Sequence, residues 1–217
     1  MTVRLNRGFT LIEGIITIVI LGIAMVTLTS FLFPQAERSA TPYYQARSAA
    51  IGNAFLNEIL SRKFDENSDP NGDSVLRCGE LELGAKECTL ESNFGPKSDE
   101  IYWVIDPDNG NRPTTRLNVS LANDVDDFDG CWGDKPLCDS RYKKQDWRGP
   151  IESLISGDKE AAEKYLNMTV SVLVSYDSSL NSPSAKDKYL YQHKRIVVEV
   201  DAGRYGKYDF VAYRSNY

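Results

Sequence analysis

Residues 7–33 read RGFTLIEGIITIVILGIAMVTLTSFLF, and between Phe9 and Phe33 the one charge is the carboxylate of Glu13. The twenty residues Gly14–Phe33 are uncharged and would form a helix about 30 Å long, enough to cross a hydrocarbon core. Ahead of them stand Arg4 and Arg7 with no acidic residue. The positive-inside rule therefore holds the short leader in the cytoplasm and sends everything after Phe33 across the membrane. A cleaved secretory signal is the competing reading. The apolar run is longer than such signals use, and Pro34-Gln35-Ala36 is a poor small-x-small cleavage site.

Glu13 needs its own account. A carboxylate at the midplane of a span costs about 2.5–3.5 kcal/mol, and less near the interface. Thr10-Leu11-Ile12-Glu13 fits a capping box, which would place the acid at the first turn of the helix. A partner cation would offset the cost more fully. Cleavage between Gly8 and Phe9 would expose an α-amino group four residues before Glu13, mostly protonated at neutral pH given an ordinary pKa of about 7.7–8.0.

Arg7-Gly8-Phe9-Thr10-Leu11-Ile12-Glu13 followed by an unbroken apolar run resembles the class III signal of type IV pilins and pseudopilins. The resemblance implies cleavage by prepilin peptidase after Gly8, N-methylation of Phe9 with its charge kept, and a role for Glu13 in meeting the amino terminus of a neighbouring subunit. In a filament core, an unpaired Glu13 would penalise a wrongly docked subunit, so the pairing would set register. Gly14, where the family more often has a bulky apolar residue, and Pro34, which falls after the family's usual proline, depart from the pattern. The implied organisation is a leader at 1–8, a transmembrane and filament-core helix at 9–35, and an extracytoplasmic head at 36–217. The implied partners are prepilin peptidase, the inner membrane before assembly, and other pilins or minor pilins of the same filament at the cell surface. The functions that follow are a minor pilin helping to initiate or cap a pilus used in adhesion, a minor pseudopilin of a type II secretion system, or a pilus-displayed adhesin for surface glycans.

After Pro42, YYQARSAAIGNAFLNEILSRKF sets Ile51, Phe55 and Ile59 four apart, with Ala50, Ala54, Leu56 and Leu60 widening the stripe, so an amphipathic helix is expected over 43–62. Residues 168–176, MTVSVLVSY, alternate as a half-buried strand. KRIVVEV at 194–200 and KYDFVAYR at 207–214 read as a hairpin, and Ile101–Ile105 as a shorter strand. The expected fold is α+β and type IV pilin-like: a long N-terminal helix, transmembrane in one half and amphipathic in the other, packed on a three- to four-stranded antiparallel sheet with disulfide-pinned loops.

Cys78, Cys88, Cys131 and Cys138 allow three complete pairings, and an even count outside the cytoplasm favours disulfides. Local pairs would each be worth about 2–3 kcal/mol in the chain-entropy model. The acidic runs 65–73 and 124–130 have the oxygen content of calcium loops. The first misses the EF-hand template at Pro70 and Leu76, and solvated turns are expected at both. With no C-x₂-C pair and one histidine, His193, no metal site and no cofactor are expected. No nucleophile elbow or phosphate loop points to an enzyme, and no catalytic residue is assigned. A net charge of −6 over 217 residues disfavours nucleic acid as a partner. Trp103, Trp132 and Trp147 are expected in sheet packing, with a carbohydrate platform as the alternative.

Overall fold

The computed structural model describes residues 10–68, 77–81, 84–106, 112–155, 165, 167–177, 179–180 and 192–216. The chain divides into two compact units, Met1–Tyr44 and Gln45–Tyr217. One helix, α1 (Leu11–Leu60), enters both. The helix expected at 43–62 is thus the continuation of the span, and it runs through Pro34 and Pro42. Each of those prolines removes one backbone donor from an interior turn.

In the first unit, Leu11–Leu32 is long and apolar enough to cross a membrane, and none of it is buried. Its threonine and serine hydroxyls are satisfied locally. Thr27 Oγ1 donates to the carbonyl of Ile23 at 3.0 Å, Thr29 Oγ1 to that of Met25 at 2.9 Å, and Ser30 Oγ to that of Thr27 at 2.8 Å. In hydrocarbon this matters, because no water is present to accept those protons.

The second unit is built on a five-stranded sheet in the order β4-β3-β5-β6-β7. Its strands are β3 (Gly130–Gly133), β4 (Trp147–Gly149), β5 (Thr169–Tyr176), β6 (His193–Asp201) and β7 (Lys207–Ser215). Strands β5, β6 and β7 pair antiparallel in full register, from Tyr176 opposite Lys194 to Asp201 opposite Lys207. The sheet is larger than expected and mixed, since β3 runs parallel to β4. Residues 130–133 and 147–149 are too short and too glycine-rich to display a period of two, so alternation could not reveal them. Gly130 has φ 143°, and a Cβ there would lie 2.5 Å from the Asp146 carbonyl, so the close approach of β4 requires glycine.

Ile101–Ile105 is also placed differently from expectation. It belongs to β1 (Ile101–Asp106), which pairs with β2 (Arg112–Leu117) in a separate two-stranded ribbon. Two short helices complete the head, α2 (Lys135–Arg141) and α3 (Glu152–Ile155).

The core forms between the C-terminal part of α1 and one face of the sheet. Ile51, Phe55 and Ile59 are buried as the four-residue spacing requires, together with Trp132, Val170, Val172, Ile196, Val198 and Val200. Phe55 meets Trp132 edge to face at 5.6 Å between centroids, and Trp132 stacks on Phe128 at 6.1 Å. Gly52 lets the helix approach β7, because a Cβ there would fall 2.3 Å from the Phe210 ring. The result is an α+β, pilin-like architecture.

Candidate functional site

Gly8 and Phe9 lie outside the described residues. Glu13 stands in the first turn of α1 and is exposed. The capping box expected there is not formed. The Thr10 carbonyl accepts the Gly14 N–H at 3.2 Å, and among the described residues nothing bonds the Glu13 carboxylate. Thr17 Oγ1 instead donates to the backbone carbonyls of Glu13 and Gly14. The acid therefore sits at the end of an uncovered apolar helix with no partner supplied from within the described chain. Chemically, it can accept a cation brought by another terminus or another subunit.

Of the three pairings open to four cysteines, the structure has Cys78–Cys88 and Cys131–Cys138. The first disulfide packs with Phe64 and Tyr176, and the second with Trp147, Val104 and Tyr142. Cys131 lies in β3 and Cys138 in α2, so the second bridge fixes that helix beside the sheet.

Where they are described, the acidic runs are not solvated turns. Asp126–Phe128 form a buried 3-10 turn, and Asp124, Asp126 and Asp127 are all buried. Asp124 Oδ1 accepts the backbone N–H groups of Asp126 and Asp127, and Asp127 Oδ2 accepts those of Asn123 and Asp124. Asp65, at the head of the other run, is buried as well. It accepts the N–H groups of Asn67 and Thr89 at 3.0 and 2.9 Å, while 69–73 lie outside the described residues. The two runs meet at Lys194, whose Nζ pairs with Asp65 Oδ2 at 3.2 Å and contacts Asp126 Oδ1 directly. Lys194 is 0% exposed.

Burial drives the electrostatics here. Desolvation, then the charges of Asp126 and Asp127, push the Asp124 carboxyl from an ordinary 3.8 up to about 9. Desolvation likewise raises Asp126, against the opposing pull of Lys194, and raises Asp127 against its backbone hydrogen bonds. A cavity of about 480 Å³ opens beside this cluster, lined in part by Glu66, Glu87, Glu100 and Asn123. Among the described residues no three His, Cys, Asp or Glu side chains are disposed to hold a metal ion. The carboxylate oxygens point instead at backbone donors and at Lys194.

Sequence reasoning missed Lys194. One signal was present: in β6 it shares the period-two face of Ile196, Val198 and Val200, all of which are core residues. The tryptophans divide. Trp132 and Trp147 are buried, whereas Trp103 in the ribbon is 73% exposed. His193 Nδ1 lies 3.0 Å from Ser215 Oγ, within the β6–β7 ladder.

Residues 3–29 match the family model of the prokaryotic N-terminal methylation motif. No curated protein and no solved structure matches the chain. The matched segment contains Gly8, Phe9 and Glu13 and most of the apolar span. Together with the α+β head, it supports a type IV pilin or pseudopilin that is processed by prepilin peptidase, anchored in a membrane, and assembled with other pilins.

Proposed function

We propose that the chain is a minor type IV pilin that helps initiate or cap assembly of a surface pilus used in adhesion. The finer assignment rests on resemblance. The strings at 30–72, VLRCGE at 75–80, DVDDFDGC at 124–131, MTVSVLVSY and the terminal FVAYRSNY are similar to the minor pilin MshD of the mannose-sensitive haemagglutinin (MSHA) type IV pilus. The single observation that carries the assembly role is Glu13, an acid on an uncovered apolar helix without a partner among the described residues. A neighbouring subunit's methylated Phe9 amine supplies the missing cation, with the leader inside the cell and the head in the periplasm until assembly.

Two measurements test this reading. Mass spectrometry of the native N-terminus is expected to find N-methylated Phe9; a chain beginning at Met1 or near Ala36 overturns the processing. Glu13→Ala is expected to leave the protein in the membrane but lower its incorporation into pili on the order of tenfold, the equivalent of about 1.4 kcal/mol of lost pairing. Unchanged incorporation removes the assembly role and leaves a plain anchor.

Exposed Trp103, flanked in the ribbon by the exposed Tyr102 and Ile105, favours a second reading as a pilus-displayed adhesin. Aromatic faces suit sugar rings. Pili carrying Trp103→Ala are then expected to lose glycan-array or surface binding at unchanged pilus number. Retained binding rejects that reading. A minor pseudopilin of a type II secretion system would share the N-terminal features, and loss of secretion with intact pili on deleting the chain would identify it.

A further inference from the structure

Lys194 and its carboxylates are arranged for more than an ion pair. The amine and the Asp126 carboxyl are in direct contact, and both side chains are closed to solvent. Three rings wall the amine: Nζ lies 4.9 Å from the centroid of Phe64, 4.7 Å from that of Phe94 and 5.4 Å from that of Tyr176. In such surroundings an ion pair loses its solvation advantage over the neutral amine and neutral acid, and water is kept from a condensing pair.

The two carboxylates that touch Nζ differ in a way that separates their roles. Asp65 accepts the Asn67 and Thr89 N–H groups and, at 3.3 Å, the Thr89 hydroxyl. Asp126 meets Nζ of Lys194 with burial working against its charge. The first is fixed by its donors where it can relay a proton, and the second, its charge opposed by burial, is disposed to be the electrophile.

We propose that Lys194 and Asp126 become joined by an intramolecular isopeptide bond. From the ion pair, one ammonium proton passes to the Asp126 carboxylate, leaving a neutral amine and a carboxylic acid. Nζ attacks Cγ of Asp126, the C–N bond forms, and the C–OH bond breaks. A second proton travels from nitrogen to the departing hydroxyl through Asp65, which begins and ends as a carboxylate. The third hydrogen stays on the amide nitrogen, and the products are one amide and one water. No oxidant, reductant or cofactor takes part. The bond closes a loop of 68 residues in sequence and ties β6 to the turn ahead of β3. A head so tied resists being pulled apart, which suits a filament subunit, although the bond itself does not depend on that function.

The test is the intact mass of the full chain purified in detergent, followed by peptide mapping under reducing conditions. Expected is a mass one water molecule below that of the processed, disulfide-bonded sequence, and a branched peptide joining the segments that carry Lys194 and Asp126. A mass with no water missing overturns the proposal, and so does a water loss that maps to a single peptide, such as a succinimide at Asp129-Gly130. Asp65→Asn preserves shape but removes the base, and is expected to restore the full mass; a linked Asp65→Asn chain overturns the role given to Asp65. The wild-type mass decides the bond whether or not that variant folds.

Discussion

At the scale of residues, the head stores acid in its interior. Asp124 has a folded-state pKa of about 9 against an ordinary 3.8, because burial and the neighbouring Asp126 and Asp127 disfavour its charge more than Lys194 favours it. The folded chain therefore holds a proton that the unfolded chain releases, so stability is full below about pH 4 for this group and declines as pH rises towards about 9. Asp126, Asp127, Asp129 and Glu100 are shifted in the same direction, and Glu199, which is lowered, in the opposite one. The thermal midpoint of the detergent-purified chain is expected to be lower at pH 8 than at pH 6. Asp124→Asn keeps the acceptor for the Asp126 and Asp127 N–H groups without the titrating proton, and should flatten that slope. A midpoint that rises from pH 6 to pH 8 would refute the assignment.

At the scale of elements, α1 is defined by its two faces of different origin. Its first half is apolar all round and buried against nothing within its unit, as a membrane or filament environment demands. Its second half has a stripe, and that stripe works only because Gly52 admits Phe210 from β7. Gly52→Val would force the helix off the sheet and is expected to destabilise the head by about 1–3 kcal/mol in denaturant melts, the usual cost of overpacking. The gain in helix propensity over glycine is smaller than this, which sets the sign. The sequence periodicity showed where the stripe lies. It could not show which helical glycine marks a close approach, since Gly14, Gly22 and Gly52 look alike until the sheet is placed.

At the scale of the whole molecule, the apolar N-terminal helix and the disulfide-bonded head fit the proposed topology, in which the leader stays inside the cell and the head is exported. Both disulfides require an oxidising compartment, in keeping with a head beyond the inner membrane. Trypsin added to intact spheroplasts is expected to digest the head while leaving the span in the membrane, and alkylation without reductant should find all four cysteines blocked. A head protected until the spheroplasts are lysed would reverse the orientation. Each bridge closes a short loop, and losing one should cost about 2–3 kcal/mol.

The sequence by itself determined the long apolar helix, the N-terminal methylation motif, the position of Glu13, the amphipathic stripe and the β5–β6–β7 strands. Each is written in a local period, a run of apolar length or a motif of adjacent residues. Tertiary structure alone decided the parallel β3–β4 pair, the separate β1–β2 ribbon, the disulfide partners and the burial of Asp65, Asp124, Asp126 and Asp127. Asp65, Asp126 and Lys194 are far apart in the chain, and a carboxylate in a turn-rich segment looks solvated until a lysine from a distant strand is folded onto it.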